Sequence, residues 1–164
     1  MHRKPETPGE RGLPKPSVSE LDLTPTGVVG DFNRFRHEEN ADDPTSAVLI
    51  MTLETLHSLG EEGWPVQPGD LGENITTRGV AYTQMGPGTN LRVGVAQLTV
   101  TRPCEPCTNL YLLPYVGKER GPQFLKVMLG RRGWYCRVSR SGVVRVNDPI
   151  QVGIPRRLER QSKD

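Results

Sequence analysis

The sequence lacks any apolar run approaching the roughly 20 residues that a membrane-spanning helix needs. Residues 1–6, MHRKPE, carry charges with no apolar stretch behind them, so no secretory signal is indicated. The net charge is only +2, from 21 basic and 19 acidic residues, which excludes a strong electrostatic attraction to nucleic acid or an anionic membrane. We therefore expect neither nucleic acid nor a membrane as a partner.

Cysteines are also scarce, and their number is odd. Cys104, Cys107 and Cys136 do not form a disulfide framework, and a reducing cytoplasm is the expected compartment. The hydrolase and nucleotide-binding signatures G-x-S-x-G, H-E-x-x-H and G-x-x-x-x-G-K-[ST] are missing. A nucleophilic hydrolase is therefore disfavoured.

Glycine and proline, by contrast, are abundant, with 18 and 15 residues in a chain of 164. This content interrupts long helices and favours short elements joined by turns. The length suits one domain, and we place it at residues 18–154, where the strongly apolar segments lie. Residues 1–17 hold four prolines and many charges, which predicts a flexible arm, and residues 155–164 form a basic tail.

Short apolar runs predict a mainly β fold with one to three short helices. Residues 47–51, AVLIM, indicate a buried strand. Thr52 can then cap a helix over residues 53–59, where leucines recur every third residue and Gly60 follows. A second helix is predicted over residues 122–129. Further strands are predicted over residues 91–95, 97–101, 134–138, 143–146 and 150–152.

Three motifs carry the most specific information. Residues 68–79 read PGDLGENITTRG, and residues 106–110 read PCTNL just after a predicted strand. Residues 12–18, GLPKPSV, lead to Gly30-Asp31 and then to His37.

Together these motifs resemble the MOSC family, named for the C-terminal domain of molybdenum cofactor sulfurase. Its members commonly have PK-x-P-V, then GD with a histidine six residues on, then PGDxGENxTTxG and PCxxL. Ala47-Val48 and the RxGxxAxV-like residues 131–138 are weaker matches. The resemblance covers residues 12–152 and implies a closed, mostly β barrel with a few short helices.

Cys107 is the candidate reactive residue because it occupies the cysteine of the PCxxL motif. A thiol reacts as its thiolate, which a nearby cation stabilises, and Arg102, Arg131 and Arg132 are candidates for that cation. A soft thiolate suits molybdenum or a persulfide sulfur. An inert buried cysteine is the alternative that the residue type alone would favour.

Cys104 forms a C-x-x-C pair with Cys107, a spacing seen in redox dithiols and in half of a zinc site. The helix expected of a thioredoxin-like site is too short here, and further zinc ligands (His37, His57, Cys136) are scattered. Cys104 is alternatively a resolving or supporting thiol, and Cys136 is expected in the core.

The loop at residues 69–74 combines two glycines with three polar side chains. Glycines let the backbone approach a ligand closely, and the polar groups suit a pterin. The same side chains could instead bond the loop's own backbone, and both roles are compatible. His37 could contact a phosphate or orient Asp31, or it could be a solvated loop residue.

The resemblance implies one of two chemical functions. Cys107 would ligate the molybdenum of a bound molybdenum cofactor (molybdopterin), as in relatives that reduce N-hydroxylated compounds with electrons from a partner reductase. Alternatively, it would carry persulfide sulfur from a separate cysteine desulfurase, since a pyridoxal phosphate site is not expected in this chain. A third hypothesis is a non-catalytic module that binds a small anion. The residues expected to hold the cofactor are Lys15, Asp31, His37, Gly69, Asp70, Gly72, Glu73, Asn74, Thr76, Arg102 and Arg132.

Overall fold

A computed structural model describes residues 1–34, 36–37 and 43–153. This part of the chain is mainly β with two α-helices, which confirms the predicted fold class. Neither helix in it is long and apolar enough to cross a bilayer. The elements follow in the order β1 (Glu20–Thr24), β2 (Gly27–Val28), β3 (Val48–Thr52), α1 (Leu53–Glu61), β4 (Ile75–Thr77), β5 (Asn90–Val93), β6 (Ala96–Pro103), α2 (Gly117–Met128), β7 (Trp134–Arg140), β8 (Gly142–Arg145) and β9 (Ile150–Val152).

Six strands form one sheet that curls into a nearly closed barrel, in the order β4-β3-β7-β6-β5-β9. The pairs are antiparallel except β3 and β4, which run parallel because α1 connects them as a crossover. A smaller sheet, β2-β1-β8, lies beside it. The predicted barrel is therefore confirmed.

The predicted strands correspond to β3 and β5 to β9, with ends that differ by at most two residues. The β1–β2 hairpin and β4 were not predicted as strands. β4 is only three residues long and lies inside the PGDLGENITTRG motif, so its pairing with β3 depends on the crossover rather than on its own pattern.

The first predicted helix is confirmed as α1, but it continues through Gly60 and ends at Glu61, so Gly60 does not stop it. The Thr52 side chain accepts a hydrogen bond from Thr55 N, and Leu56 and Leu59 are buried. The predicted start of the second helix at Pro122 is wrong, because α2 begins at Gly117 and holds this proline inside. Burial of Phe124 and Met128 on one face offsets the single backbone hydrogen bond that proline cannot donate.

Two large apolar cores hold the elements together, and a third, small cluster consists of Leu49, Cys104 and Tyr135. The barrel core joins strands of both sheets and contains Cys136, which is fully buried as predicted. The second core lies between α1 and α2. It also includes residues from the chain before each helix and from the chain after α1. The chain between β6 and α2 packs into this second core through Leu110 and Leu113. This packing anchors the C-terminal end of the cysteine motif.

The N-terminal segment, for which the prolines predict a flexible arm, makes contacts with the PGDLGENITTRG loop. His2 N donates to Asn74 O at 2.8 Å, and Lys15 N donates to Gly69 O at 2.9 Å. His2, Leu13 and Lys15 are buried. These contacts place the segment against the PGDLGENITTRG loop. The predicted basic tail at residues 155–164 lies outside the described residues.

Candidate functional site

Cys107 lies where the chain leaves the barrel after β6. Cys104 N still donates to Gly133 O at 2.9 Å, which extends the pairing of β6 with the chain before β7. The chain then turns, and Cys107 caps a short 3-10 helix, Thr108–Leu112. Cys107 is exposed whereas Cys104 is buried. The turn therefore presents only one of the two thiols to solvent.

Arg132 is the residue that contacts this thiol. It lies between α2 and β7, and its Nη1 donates to Cys107 Sγ at 3.1 Å and to Glu105 O at 2.6 Å. The guanidinium is buried, which by itself lowers its pKa, but the sulfur atoms of Cys104 and Cys107 raise the pKa above its ordinary value. Arg132 Nε is buried without a hydrogen-bond partner among the described residues. The structure therefore places a buried cation directly beside the sulfur of Cys107.

A cavity of about 430 Å³ adjoins the thiol and is strongly basic. Among the described residues that line it, Glu105 is the only acidic one. Its size is within the range of small-molecule sites, roughly 300–1,000 Å³. The basic residues that line it are Arg11, Lys15, Arg34, Arg102 and Arg132.

Not all of these charges face the cavity freely. Lys15 Nζ lies 2.5 Å from Asp31 Oδ2, in an ion pair with both side chains almost fully buried. Burial lowers the pKa of Lys15, and the Asp31 carboxylate opposes that shift. Asn74 Nδ2 also donates to Asp31 Oδ2, at 2.9 Å. The positive character of the cavity therefore comes mainly from its arginines.

Arg102 and Tyr135 lie on adjacent strands, β6 and β7, at the inner wall. The Arg102 guanidinium is 4.7 Å from the centre of the Tyr135 ring, and its Nη2 donates to Ser46 Oγ at 2.6 Å. Burial raises the pKa of the Tyr135 phenol, and the neighbouring Cys104 sulfur raises it further. Arg131, the other candidate cation, forms an ion pair with Glu62 at 2.7 Å and does not line the cavity.

The side chains of the loop at residues 69–74 bond within the protein. Glu73 Oε1 accepts from Gly69 N at 2.7 Å and from Thr76 Oγ1 at 3.1 Å, and burial raises the pKa of Glu73. Asn74 Oδ1 accepts from the backbone of β3, and Asp70 Oδ2 accepts from the Tyr115 hydroxyl at 2.8 Å. Of the loop residues predicted to hold the cofactor, only Gly72 lines the cavity.

Asp31 and His37 border a second cavity of about 290 Å³ on the other side of Phe32. His37 is exposed, and its ring centre lies 5.7 Å from that of Phe32. The structure thus brings Cys107, Arg102, Arg132, Lys15 and Gly72 together and leaves the other predicted site residues outside this cavity. Their contact with a ligand stays a prediction.

The described part of the chain contains no group of three or more His, Cys, Asp or Glu side chains placed to hold a metal ion. The C-x-x-C pair therefore has no additional zinc ligands around it there.

Residues 37–151 match the family model of the MOSC domain. The chain belongs to the MOSC domain family. This confirms the family inferred from the motifs. No protein of curated function is significantly similar to it in sequence.

The solved structures that are similar to this MOSC domain include the following three. The YUAD protein from Bacillus subtilis has a TM-score of 0.72 at 21% identity, over 85% of this chain and 87% of that one. YiiM from Escherichia coli has a TM-score of 0.62 at 26% identity, over 84% of this chain and 64% of that one. YiiM from Geobacillus stearothermophilus has a TM-score of 0.56 at 26% identity, over 67% of this chain and 55% of that one. The chain spans less than two thirds of the length of either YiiM protein.

The cavity residues of this MOSC domain that sequence reasoning missed include Arg11, Arg34, Asn109 and Tyr135. Arg11 directly precedes the GLPKPSV stretch, and Asn109 occupies a variable position of PCxxL. Neither position is marked by a periodicity or a charge pattern. Tyr135 lies on a predicted strand, but only the pairing of β7 with β6 brings it next to Cys104.

Proposed function

We propose that this MOSC domain binds molybdenum cofactor in the 430 Å³ cavity and that Cys107 is the thiolate ligand of the molybdenum. The observation that supports this most directly is the contact of 3.1 Å between Arg132 Nη1 and Cys107 Sγ at that cavity. A thiolate stabilised by a cation is a soft ligand suited to a thiophilic metal.

The residues around the thiol fit the rest of such a cofactor. Arg102 and Arg132 are the candidates for its phosphate, because guanidinium groups bind phosphate by charge-assisted hydrogen bonds. Arg132 Nε, which has no hydrogen-bond partner among the described residues, adds a buried donor at the same place. At Gly72 the backbone lines the cavity and would border a heterocycle. The side chains of the same loop are turned into the protein.

When bound, the cofactor would supply the redox chemistry for reducing an N-hydroxylated compound, with electrons from a separate reductase. Cys107 would hold the metal, Arg132 would hold the sulfur in place through its hydrogen bond, and the walls of the cavity would restrict access of water. Tyr135, a phenol with a raised pKa on the same wall, would remain protonated and could donate a hydrogen bond.

Metal analysis tests this proposal. Protein from a molybdenum-replete host should contain about one molybdenum per chain, and the Cys107→Ala variant should contain almost none. Cys136→Ala is the matched control, because it removes a cysteine from the barrel core and should keep its molybdenum. Absence of molybdenum from the parent protein, or its retention by Cys107→Ala, would contradict the proposal.

The exposure of Cys107 supports a second candidate function, that of a persulfide carrier. In that reaction the Cys107 thiolate would attack the outer sulfur of a desulfurase persulfide, forming a new S–S bond as the donor's S–S bond breaks. Mass spectrometry of protein incubated with a cysteine desulfurase and cysteine should then show about 32 Da added at Cys107 and lost on reduction. If the mass does not change, the carrier function is excluded.

A further inference from the structure

The outer surface of the barrel carries a group of exposed arginines. Along β5, β6, β7 and β9, buried positions alternate with positions open to solvent, which point away from the barrel core. The fully exposed side chains of these strands are three arginines and otherwise uncharged polar groups. We name this surface the arginine face: Arg92, Arg137 and Arg140, with Gln97, Thr99 and Gln151 among them.

Strand pairing brings the side chains of the arginine face together. Gln97 of β6 lies opposite Arg92 of β5 on one side and Arg140 of β7 on the other. Thr99 lies opposite Arg137 in the next row of the sheet. Because neighbouring strands are about 4.8 Å apart, the backbones of Arg92 and Arg140 are roughly 10 Å apart. The three cations therefore share one patch of the sheet.

The arginines of this face have no ion-pair partner among the described residues. Other arginines of the protein do, since Arg145 lies 3.3 Å from Glu20 and Arg131 lies 2.7 Å from Glu62. Asp148, in the turn before β9, accepts a hydrogen bond from the backbone of Arg145 at 2.8 Å. The small net charge of +2 therefore conceals a patch of one sign.

The arginine face continues into the wall of the thiol cavity. Tyr135 lines that cavity and lies two residues before Arg137 on β7, so both side chains are on the same side of the sheet. Their Cα atoms are about 7 Å apart along the strand. Arg102, which pairs with Tyr135 across β6 and β7, also lines the cavity. A molecule that covers the face would therefore border the entrance to Cys107, which is exposed.

The chemistry of the face favours an acidic protein surface as its occupant. Guanidinium groups bind carboxylates by charge-assisted hydrogen bonds, and the amide and hydroxyl groups among them are further donors. None of the fully exposed side chains of these four strands is aromatic, so the face offers no platform on which nucleic-acid bases stack. Complementary charges mainly raise the rate at which two proteins associate, which suits a partner that docks transiently.

We infer that the arginine face docks a carboxylate-rich protein that delivers electrons to the Cys107 site. The inference rests on the proposed function, in which a separate reductase supplies those electrons. Reduction of an N-hydroxylated compound takes two electrons and two protons, breaks the N–O bond and releases water. The docked protein would supply the electrons, and solvent would supply the protons.

Peptides test the arginine face without the natural partner. The probe is a fluorescently labelled peptide of about eight glutamates, and its uncharged counterpart carries glutamines instead. Fluorescence anisotropy measures the binding of each peptide to the full chain at low salt. The parent protein should bind the glutamate peptide more tightly, and added salt should weaken that binding because exposed charges are screened.

The triple variant Arg92→Gln, Arg137→Gln, Arg140→Gln removes the charge of the face. It should bind the glutamate peptide about tenfold more weakly than the parent, since each exposed charge pair contributes modestly and three are lost. Urea denaturation confirms that the variant is folded.

A matched control removes the same charge elsewhere. Arg78→Gln, Lys118→Gln, Lys126→Gln alters exposed positions after β4 and on α2. It should keep most of the affinity of the parent for the glutamate peptide. Equal losses of affinity in the two triple variants would overturn the inference, because the effect would then come from overall charge.

A reactive form of the probe locates the bound peptide. A bromoacetyl group is joined to the glutamates by a flexible spacer of about six residues, which spans roughly 13 Å. The thiolate sulfur of Cys107 bonds to its CH₂ carbon, and bromide leaves. Docking on the face raises the effective concentration of the reagent at Cys107. In protein from molybdate-free culture, the glutamate peptide should therefore alkylate Cys107 at least about fivefold faster than the glutamine peptide.

Peptide mass spectrometry gives the ratio of these two rates. The ratio should fall in Arg92→Gln, Arg137→Gln, Arg140→Gln and should stay close to the parent value in the matched control. An unchanged ratio in the face variant would overturn the inference. A single-stranded oligonucleotide of the same charge and vesicles containing phosphatidylserine are measured alongside. If either binds more tightly than the glutamate peptide and loses that binding in the face variant, the assignment to a protein partner is wrong.

Metal analysis separates this inference from the proposed function. The face variant from a molybdenum-replete host should keep the molybdenum content of the parent, and a loss would assign the face to the cofactor rather than to a partner. If the parent protein itself lacks molybdenum, the proposed function fails, and the electron-delivering role of the partner fails with it. The peptide affinities still decide whether the face binds an acidic protein surface.

Discussion

At the scale of single residues, Arg132 does most to determine the surroundings of Cys107. One nitrogen of its guanidinium holds both the carbonyl of Glu105 and the sulfur of Cys107. The same contact therefore shapes the turn that carries the thiol and supplies the cation beside it. Arg131, its neighbour in sequence, does neither, because it is paired with Glu62.

Replacing Arg132 should make Cys107 less reactive. In Arg132→Gln we expect the rate of alkylation of Cys107 by iodoacetamide at pH 7 to fall about three- to tenfold, because the thiolate loses its neighbouring cation. Peptide mass spectrometry measures this rate. Arg131→Gln is the control and should react like the parent protein. Equal rates for the two variants would show that Arg132 does not activate the thiol.

The buried ion pair between Lys15 and Asp31 should be costly to break on one side only. Asp31→Ala leaves the Lys15 ammonium buried without its carboxylate and should lower the free energy of unfolding by about 3 kcal/mol. Replacing both residues (Lys15→Met, Asp31→Leu) should cost less than the single change, because no uncompensated charge remains. Urea denaturation measures both. A double variant less stable than Asp31→Ala would contradict this account.

At the scale of elements, the loop at residues 69–74 supports the N-terminal segment. Gly69 has a φ of +94°, and a Cβ atom there would lie 2.2 Å from Lys15 O. Glycine at this position therefore allows a left-handed backbone conformation and a close approach of two chain segments. This docking places Leu13 and Lys15 in the wall of the cavity.

Gly69→Ala should disrupt this docking. We expect a loss of at least 2 kcal/mol in the free energy of unfolding, since both the conformation and the contact oppose a side chain. Gly63 provides the matched control. It has a φ of +87° but no atom within 4 Å of a built Cβ, so Gly63→Ala should cost only about 1 kcal/mol. Equal losses in urea denaturation would show that the contact with Lys15 contributes nothing.

At the scale of the whole molecule, the docked N-terminal segment links stability to pH through His2. His2 is buried, with Nε2 3.2 Å from Thr76 Oγ1, and burial lowers its pKa to about 4, assisted by the charge of Lys15. The unfolded chain binds this proton near pH 6.5. Between those values the unfolded state holds more protons, so stability falls as the pH falls.

Stability of the parent protein relative to His2→Gln should therefore decrease from pH 6.5 to pH 4, by on the order of 2 kcal/mol. Glu73, whose pKa is raised by burial, acts in the opposite direction, because its folded state holds the proton longer as the pH rises. It is present in both proteins, so its effect cancels in the comparison. Urea midpoints at several pH values give the result, and parallel curves for the two proteins would rule out His2 as the source.

Much of the fold follows from the sequence, because the relevant signals are local. The apolar run of β3, the Thr52 cap and the leucine spacing of α1 each act within a few residues. The order and spacing of the motifs identified the MOSC family, and the cysteine motif distinguished Cys107 from Cys104. The strand, cap and helix signals can be read from the sequence because each depends on residues that lie close together in the chain.

The tertiary structure decided what surrounds the thiol. Arg11, Arg34 and Arg132 come from three distant segments, and only closure of the barrel and docking of the N-terminal segment bring them to one cavity. The same closure turned Glu73 and Asn74 inward, where they accept hydrogen bonds from the backbone N–H groups of Gly69 and Leu49. Motif spacing specifies which residue types recur along a chain, whereas side-chain direction and burial depend on contacts between segments far apart in sequence.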